Sequence, residues 1–169
     1  MDEAIRGLRA VRRFLPDDIP GPVLERIVDA ARWTGSARNR QPWRFVAVTN
    51  PQVRNALSGF GGYAVHLATA PLVLVLASRD NGFSDTEFDM GRLTQSVCLI
   101  AAAHGLGSCP TTLHPAANVA RAAELLRLDA GWLPRHAIAL GYPDPAAAHS
   151  PTAIPQGRRP IVELLTWLP

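Results

Sequence analysis

The most informative stretch of this sequence is a polar one, Thr34-Gly35-Ser36-Ala37-Arg38-Asn39-Arg40-Gln41-Pro42-Trp43. Asn39 and Gln41 each donate and accept hydrogen bonds, so the pair can match the mixed polar edge of a flat heterocycle. Pro42 fixes its own φ angle and removes one backbone donor, which favours a single loop conformation. Taken alone, the same composition is also typical of a turn-rich loop between a helix and a strand.

Composition limits the class of protein. A chain of 169 residues is long enough for one domain with a sizeable core. Its 47% hydrophobic and 18% charged residues are typical of a globular protein and argue against disorder. The net charge is only +3, and the arginines cluster at two places, Arg6, Arg9, Arg12 and Arg13 and the pair Arg158-Arg159. Such small clusters favour local anion binding over a nucleic-acid-binding surface, which needs a broader basic stripe.

The chain carries no signal for a membrane span, a disulfide framework or a metal site. No apolar run reaches the length of a bilayer span, so a cytoplasmic protein is expected. Cys98 and Cys109 have neither a CxxC spacing nor the density of a disulfide scaffold, which indicates free thiols. Metal-ligand spacing is also lacking among the histidines, so structural or surface roles are expected for His66, His104, His114, His136 and His149.

Hydrophobic periodicity predicts alternating helices and strands. The predicted helices span residues 2–9, 23–31, 51–58, 85–104 and 116–127, and the predicted strands span 43–49, 72–77, 108–113 and 136–140. The unbroken apolar run at 72–77 is typical of an interior strand that is covered on both faces. The aromatic residues Trp33, Trp43 and Phe45 are expected in the core.

Two regions predict a partner surface. After Thr94 the long helix is apolar nearly all round, which is typical of a helix in a core or an interface. Residues 143–155 are rich in Pro and Ala, as in an extended tether, and the tail at 161–168 is apolar. A hydrophobic tail at the end of a tether needs a surface to cover it, and a second copy of the chain is the expected one.

In the order of its motifs the chain resembles the nitroreductase family of flavoproteins. The loop at 36–43 resembles the family's Ser-x-x-Asn-x-Gln-Pro-Trp run, and residues 9–14 resemble its Arg-Ser-x-Arg-x-Phe element. Further along, the chain resembles the family's helix stop, final strand and basic C-terminal element at Gly105-Leu106-Gly107, Gly141-Tyr142-Pro143 and Arg158-Arg159-Pro160. The resemblance covers nearly the whole chain.

The resemblance implies an α+β fold with a mixed central sheet flanked by helices, in one domain spanning residues 1–169. It implies an intertwined homodimer in which residues 143–169 wrap the partner subunit and FMN is bound where the subunits meet. It also implies an oxidoreductase that uses NADH or NADPH to reduce a nitroaromatic compound, a quinone or a similar small acceptor. Because the cofactor carries the redox chemistry, no catalytic side chain is expected.

By the same resemblance, Arg9 and Arg12 hold the FMN phosphate, joined by one arginine of the pair 158–159. Planar guanidinium groups suit this task because they meet phosphate oxygens in paired hydrogen bonds. In the family, a backbone N–H from the segment 110–113 faces the flavin nitrogen that accepts hydride. The expected cofactor-binding residues are Arg9, Ala10, Arg12, Ser36, Asn39, Gln41, Pro110, Thr111, Thr112, Leu113, Arg158 and Arg159.

The chain departs from the family pattern in places. Ala10 stands where the family has Ser, which removes one hydroxyl donor beside the phosphate, and Leu113 stands where many members have Gly. Two alternatives to an enzyme therefore stay open. One is a protein that sequesters or senses flavin and turns over slowly. The other is a dimeric binding scaffold without flavin, which the loss of the hydroxyl at Ala10 favours.

Overall fold

The computed structural model describes residues 1–147 and 157–168. Its helices are α1 (Asp2–Gly7), α2 (Gly21–Ala31), α3 (Pro51–Ser58), α4 (Asp85–Ala103) and α5 (Ala116–Leu125), and its strands are β1 (Trp43–Val48), β2 (Leu72–Arg79), β3 (Gly107–Thr112) and β4 (Trp132–Gly141). The predicted helices and strands agree with these elements, except that β4 begins earlier than expected. His149 and residues 148–155 of the predicted tether lie outside the described residues.

The four strands form one antiparallel sheet in the order β1-β2-β4-β3. Residues 72–78 of β2 are all buried, which confirms the predicted interior strand. A parallel pairing is present as a single bridge between Ala10 and Ser108. The expected α+β fold with a helix-flanked central sheet is confirmed, and within the described chain its parallel character is limited to that bridge.

Each face of the sheet carries its own layer of helices. Because side chains alternate along a strand, β2 contributes to both layers. Leu72, Leu74 and Leu76 pack with buried residues of α2 and α4 on one face. Val73 and Val75 pack with residues of α3 and α5 on the other face. The core is therefore two apolar layers separated by the sheet, and α4 forms the support of the first layer.

A β-bulge explains why β4 extends beyond the predicted strand. The pairing of β4 with β2 shifts register between Leu76 and Ser78, opposite Pro134 and Arg135. Proline has no N–H to donate to a strand ladder, and a bulge is one of the few places in a sheet that tolerates it. A bulge also redirects neighbouring side chains, which lets Arg135 and His136 reach the same face of the sheet.

An N-terminal arm, residues 8–15, crosses the ends of β3 and β4. The Val11 N–H donates a 2.8 Å hydrogen bond to the Ser108 carbonyl, and the last residue of the arm bonds the chain just after β4. The arm lies so close to β3 that a Cβ atom at Gly107 would stand 2.7 Å from the Cβ of Val11. Gly107 is therefore what allows the arm to lie against the sheet.

The expectation that three aromatic residues lie in the core holds only in part. Trp43 is buried and Phe45 is half-buried, but Trp33 is 77% exposed. The prediction for Trp33 was wrong because α2 ends at Ala31, and the chain leaves the core before it reaches the indole. Both cysteines are buried free thiols, as expected.

The C-terminal segment, residues 157–168, is exposed over its whole length. Its exposed apolar side chains are Ile161, Val162, Leu164, Leu165, Trp167 and Leu168. A contiguous apolar run of this kind on a protein surface is typical of an interaction site. Among the described helices, none is long and apolar enough to cross a membrane.

Replacing Gly107 by alanine should lower the free energy of unfolding by about 1–3 kcal/mol, the usual cost of forcing a methyl group into an occupied space. Urea denaturation measures the loss. The matched control is Gly91→Ala in α4, where an added Cβ would meet nothing within 4 Å. The control should be neutral or stabilising because alanine is the better helix former. Equal losses at both positions would contradict the close approach of the arm.

Candidate functional site

The polar loop between α2 and β1 has a strained backbone. Arg38, Asn39 and Gln41 have positive φ angles of 52°, 54° and 47°, in the left-handed region that favours glycine. Of the three, asparagine adopts this conformation most readily. Three such residues within four positions cost free energy, and strain of this kind clusters at ligand-binding and active sites. The backbone thus singles out the same loop that the sequence did.

Helix α4 holds this loop in place. The Ala37 N–H donates to the buried carboxylate of Asp89 at 2.9 Å, and Arg40 forms an ion pair with Asp85 at the start of the helix. Within the loop, the Gln41 N–H donates to the Ser36 hydroxyl oxygen at 2.9 Å. Ser36 therefore stabilises the loop by accepting this hydrogen bond, and it can still donate its hydroxyl hydrogen to a ligand.

The amide side chains of the loop lie at the surface next to each other. Gln41 Nε2 donates to Asn39 Oδ1 at 3.1 Å, and both residues are exposed. The hydrogen bond between the two side chains does not use the Asn39 amide hydrogens or the Gln41 side-chain carbonyl. The loop thus presents donors and an acceptor side by side, as expected for a surface that recognises a heterocycle.

The two arginines expected at a phosphate extend from the N-terminal arm. Arg9 donates through Nη1 to the carbonyls of Arg6 and Leu8, at 2.6 and 2.9 Å, and lines a cavity of about 460 Å³ beside the C-terminal end of α4. Arg12 is exposed, and its charge acts on the buried groups of Cys109 and His66. The arm therefore brings Arg12 to the segment that leads into Pro110.

His66 is a buried histidine beside Cys109, the residue before Pro110. It is only 7% exposed, and its Nε2 lies 3.4 Å from the Cys109 carbonyl. Burial lowers the pKa of His66, the bond to that carbonyl opposes the shift, and the positive charge of Arg12 lowers the pKa further. The imidazole is therefore neutral at neutral pH. Its partners are remote in the chain, so no spacing in the sequence could have marked it.

Among the described residues, the backbone N–H of Thr112 on the outer edge of β3 has no hydrogen-bond partner. Backbone groups of alternate residues face the same edge of a strand, so Thr112 faces the edge on which Ser108 accepts from Val11. Between them Pro110 has no N–H, and Thr111 faces β4. Thr112 thus supplies the N–H that this part of the edge can direct at a ligand.

Leu113, also expected at the cofactor, has a mostly structural position. Its side chain is 1% exposed in the core, and its N–H donates to the Arg135 carbonyl at 2.8 Å. A ligand at the outer edge of β3 therefore does not meet the Leu113 side chain. The large side chain where many family members have glycine is accommodated inward, away from the open edge.

A second cavity, of about 250 Å³, lies on the α4 side of the same segment. It is lined by Glu87, Gly91, Thr94, Pro110, Thr111, Thr112 and His136. Glu87 Oε2 lies 2.8 Å from His136 Nε2, and Glu87 Oε1 lies 3.0 Å from Arg135 Nη1. Burial alone would raise the pKa of Glu87, but the hydrogen bond and charge of His136, with the charge of Arg135, lower it overall. Glu87 is therefore a carboxylate at neutral pH.

In the described part of the chain, the expected residues line two different cavities, and some of them line neither. The cavity at Arg9 and the cavity at Pro110–Thr112 are separate, and neither is lined by the polar loop. Arg158 bonds the carbonyl of Gly157, and Arg159 pairs with Glu163, so both arginines make local contacts on the exposed C-terminal segment. Convergence of the three groups on one ligand stays a prediction.

Comparison with known proteins finds a family model that matches most of the chain. A model described as the nitroreductase family matches residues 5–60 and 60–142. Nitroreductase NfnB of Mycolicibacterium smegmatis is 24% identical over 210 residues, which cover 92% of this chain and 88% of that protein. The 5,6-dimethylbenzimidazole synthase of Rhodobacter capsulatus is 31% identical over 131 residues, which cover 71% of this chain and 61% of that protein.

Solved structures share the fold at lower identity. The FMN-dependent nitroreductase NfnB from Mycobacterium smegmatis, in complex with NADPH, matches with a TM-score of 0.83 at 23% identity and covers 99% of this chain and 97% of its own. The FMN-dependent nitroreductase from Clostridium difficile R20291 matches with a TM-score of 0.79 at 22% identity and covers 85% of this chain and 88% of its own. The fold of this chain is thus nitroreductase-like.

Replacing Glu87 by glutamine should destabilise the protein at neutral pH, and the loss should disappear in acid. The pKa of Glu87 is lower in the folded state than in the unfolded state. The carboxylate therefore stabilises the fold fully at pH values above its unfolded-state pKa, and this stabilisation is lost as the pH falls through its folded-state pKa. The pair is partly exposed, so a loss below about 1 kcal/mol is expected.

Urea denaturation of the wild type and this variant at a series of pH values from about 7 downward measures the effect, since ordinary carboxyl groups titrate near about pH 4 and the pKa of Glu87 is lower. Glu124→Gln, on the exposed side of α5, is the matched control. A difference at Glu87 that persists unchanged in acid would contradict the ion-pair account.

Proposed function

Because the chain belongs to the nitroreductase family, we propose that it is an FMN-dependent oxidoreductase that takes electrons from NADH or NADPH and reduces a small acceptor. A nitroaromatic compound or a quinone is the acceptor class we propose. One observation carries the proposal: the hydrogen bond from Val11 to Ser108 brings the arm to the same edge on which Thr112 has a free N–H. Phosphate-binding and ring-binding groups are thereby neighbours.

The chemistry of the arm suits a phosphate. Arg12 is exposed and stands beside β3, and Arg9 uses a single nitrogen for its bonds to its own backbone. A guanidinium group can offer further N–H donors in a planar fork that matches phosphate oxygens. We assign the FMN phosphate to these two arginines, with Arg158 or Arg159 closing the site from the C-terminal segment. Two guanidinium groups can replace the hydroxyl that is missing at Ala10.

The edge of β3 suits a flavin ring. Bound there, FMN supplies hydride acceptance and donation between the nucleotide and the acceptor. The Thr112 N–H would donate to the reactive ring nitrogen and thereby fix the ring's orientation along β3. Neutral His66, which is bonded to the Cys109 carbonyl, places no second fixed charge beside Arg12.

The remaining face of the site would come from a second copy of the chain. We propose a homodimer in which the partner's polar loop, with Ser36, Asn39 and Gln41, covers the ring. Residues 143–169 would wrap the partner subunit. The exposed apolar side chains of the C-terminal segment, and the partly exposed Leu99 on α4, support this because they need a covering surface.

A visible absorption spectrum tests the proposed function. Purified protein is saturated with FMN, freed of excess and mixed anaerobically with NADH and then with NADPH. A retained flavin spectrum that bleaches with either nucleotide is the expected result. Yellow protein that neither nucleotide bleaches would instead favour a flavin-sequestering protein, and colourless protein would favour a scaffold without flavin. Either of these results would overturn the proposed function.

Reversing the charge of Arg12 should abolish FMN retention without unfolding the protein. With Arg12→Glu, repulsion between the new carboxylate and the phosphate replaces attraction, so affinity for FMN should fall at least about 100-fold, the loss of two charge-assisted bonds. Equilibrium dialysis with FMN measures the loss, and circular dichroism with size-exclusion chromatography checks the fold and the dimer.

Arg13→Glu is the matched control for this charge reversal. Arg13 is the next residue of the arm, but its side chain turns to Asp144, 3.7 Å away. The control should retain FMN. If Arg12→Glu keeps its flavin, or if both variants lose it equally, the phosphate assignment fails.

A further inference from the structure

Three side chains from three elements meet at the cavity beside Thr112. His136 of β4 has its Nε2 2.8 Å from the carboxylate of Glu87 on α4. On the other side of the ring, His136 Nδ1 lies 3.5 Å from Thr112 Oγ1 on β3. All three side chains line the 250 Å³ cavity. The Glu87 carboxylate, the His136 imidazole and the Thr112 hydroxyl thus form a chain of three polar groups that ends at β3.

The fold builds this chain of polar groups in two ways. Thr112 and His136 are directly paired across β3 and β4, so their side chains share one face of the sheet. The bulge at Pro134 lets Arg135, the residue before His136, also reach the carboxylate of Glu87. Consecutive residues of a regular strand face opposite sides, so a regular strand would have separated Arg135 from His136.

The charged groups that face His136 are few. Glu87 faces it from α4, and Arg135, on its own strand, pairs with the other oxygen of the same carboxylate. From β3 the facing side chain is the uncharged Thr112. The carboxylate is accordingly shared between one permanent cation and one titratable group. This arrangement leaves His136 as the side chain that contacts both the carboxylate and the hydroxyl.

We propose that His136 is the general acid for acceptor reduction, that Thr112 relays its proton, and that Glu87 is the positioning residue that holds the imidazole. The proposal rests on the proposed function, because it assigns the source of the proton that the acceptor consumes. The cavity beside Pro110 and Thr112 would hold the acceptor, within reach of both the ring at the β3 edge and the Thr112 hydroxyl.

The step balances for a quinone. The acceptor would gain a hydride, which carries two electrons and one proton, at one carbonyl oxygen; bound reduced FMN would supply this hydride and would thereby be oxidised. Its other oxygen gains the hydroxyl proton of Thr112, while Thr112 Oγ1 takes the Nδ1 proton of His136. The N–H bond of the imidazolium breaks, a hydroquinone forms, and neutral His136 keeps the Nε2 proton directed at Glu87. A proton from water then restores the imidazolium.

Rapid mixing of the FMN-loaded full chain tests the relay. Wild type and variants are reduced with dithionite, so that the test does not depend on the nucleotide, and are then mixed anaerobically with 1,4-benzoquinone. With His136→Gln, flavin reoxidation should slow by about 100-fold, the typical contribution of a general acid. Reoxidation by ferricyanide, which accepts single electrons without protons, should be unchanged.

Further variants separate catalysis from local structure. Thr112→Val should slow the quinone reaction, whereas Thr112→Ser, which keeps the hydroxyl, should restore it. Glu87→Gln should lower the rate of flavin reoxidation at saturating quinone. The quinone concentration that gives half of this maximal rate should not change. His104→Gln is the matched control, because this exposed histidine ends α4 away from the cavity. It should behave as the wild type with both oxidants.

A titration of the Glu87 carboxyl carbon by NMR gives a readout that needs neither FMN nor turnover. Removal of the bond and charge of His136 should raise the pKa of Glu87 in His136→Gln relative to the wild type. An unchanged titration would overturn the relay, since the two side chains would then be unpaired in solution.

Quinone reoxidation that is as fast in His136→Gln as in the wild type would also overturn the relay. That result leaves bleaching by NADH or NADPH intact, and therefore leaves the proposed function standing. The opposite result is also distinguishable. If the relay is seen after reduction by dithionite, but neither NADH nor NADPH reduces the flavin, only the proposed function is refuted.

Discussion

The structure depends on how closely the N-terminal arm lies against the sheet. One backbone bond, from Val11 to Ser108, fixes the arm to the start of β3, and the missing side chain at Gly107 allows the approach. Two features of the candidate site lie along the edge of β3 that carries this contact. The contact sets Arg12 beside the entry to Pro110, and it leaves Thr112 further along the same edge with an N–H that no strand takes up.

Helix α4 is the second support, and its two halves do different work. Its first half is polar toward the site: Asp89 holds the strained loop, and Glu87 holds His136. Its second half is apolar, with Val97 and Ala101 in the core and Leu99 left partly exposed. One helix thus connects the loop, the cavity at β3 and a surface suited to a second subunit.

Local pattern was enough to predict most elements, because periodicity and Pro or Gly punctuation act over a few residues. The apolar run of β2 is an example. The start of β4 was missed because Pro134 reads as a strand breaker unless a bulge, set by pairing with a remote strand, accommodates it. The neighbours of His66 and His136 could not be predicted for the same reason. Their partners are distant in sequence, and a histidine alone carries no spacing signal.

The most direct measurement is a crystal structure of the protein with FMN. The account predicts a dimer in which the reactive ring nitrogen lies about 3 Å from the Thr112 nitrogen. It predicts the phosphate against Arg12 and the polar loop of the other subunit over the ring. An FMN whose phosphate lies away from the N-terminal arm, or whose ring does not meet the open edge of β3, would contradict the account.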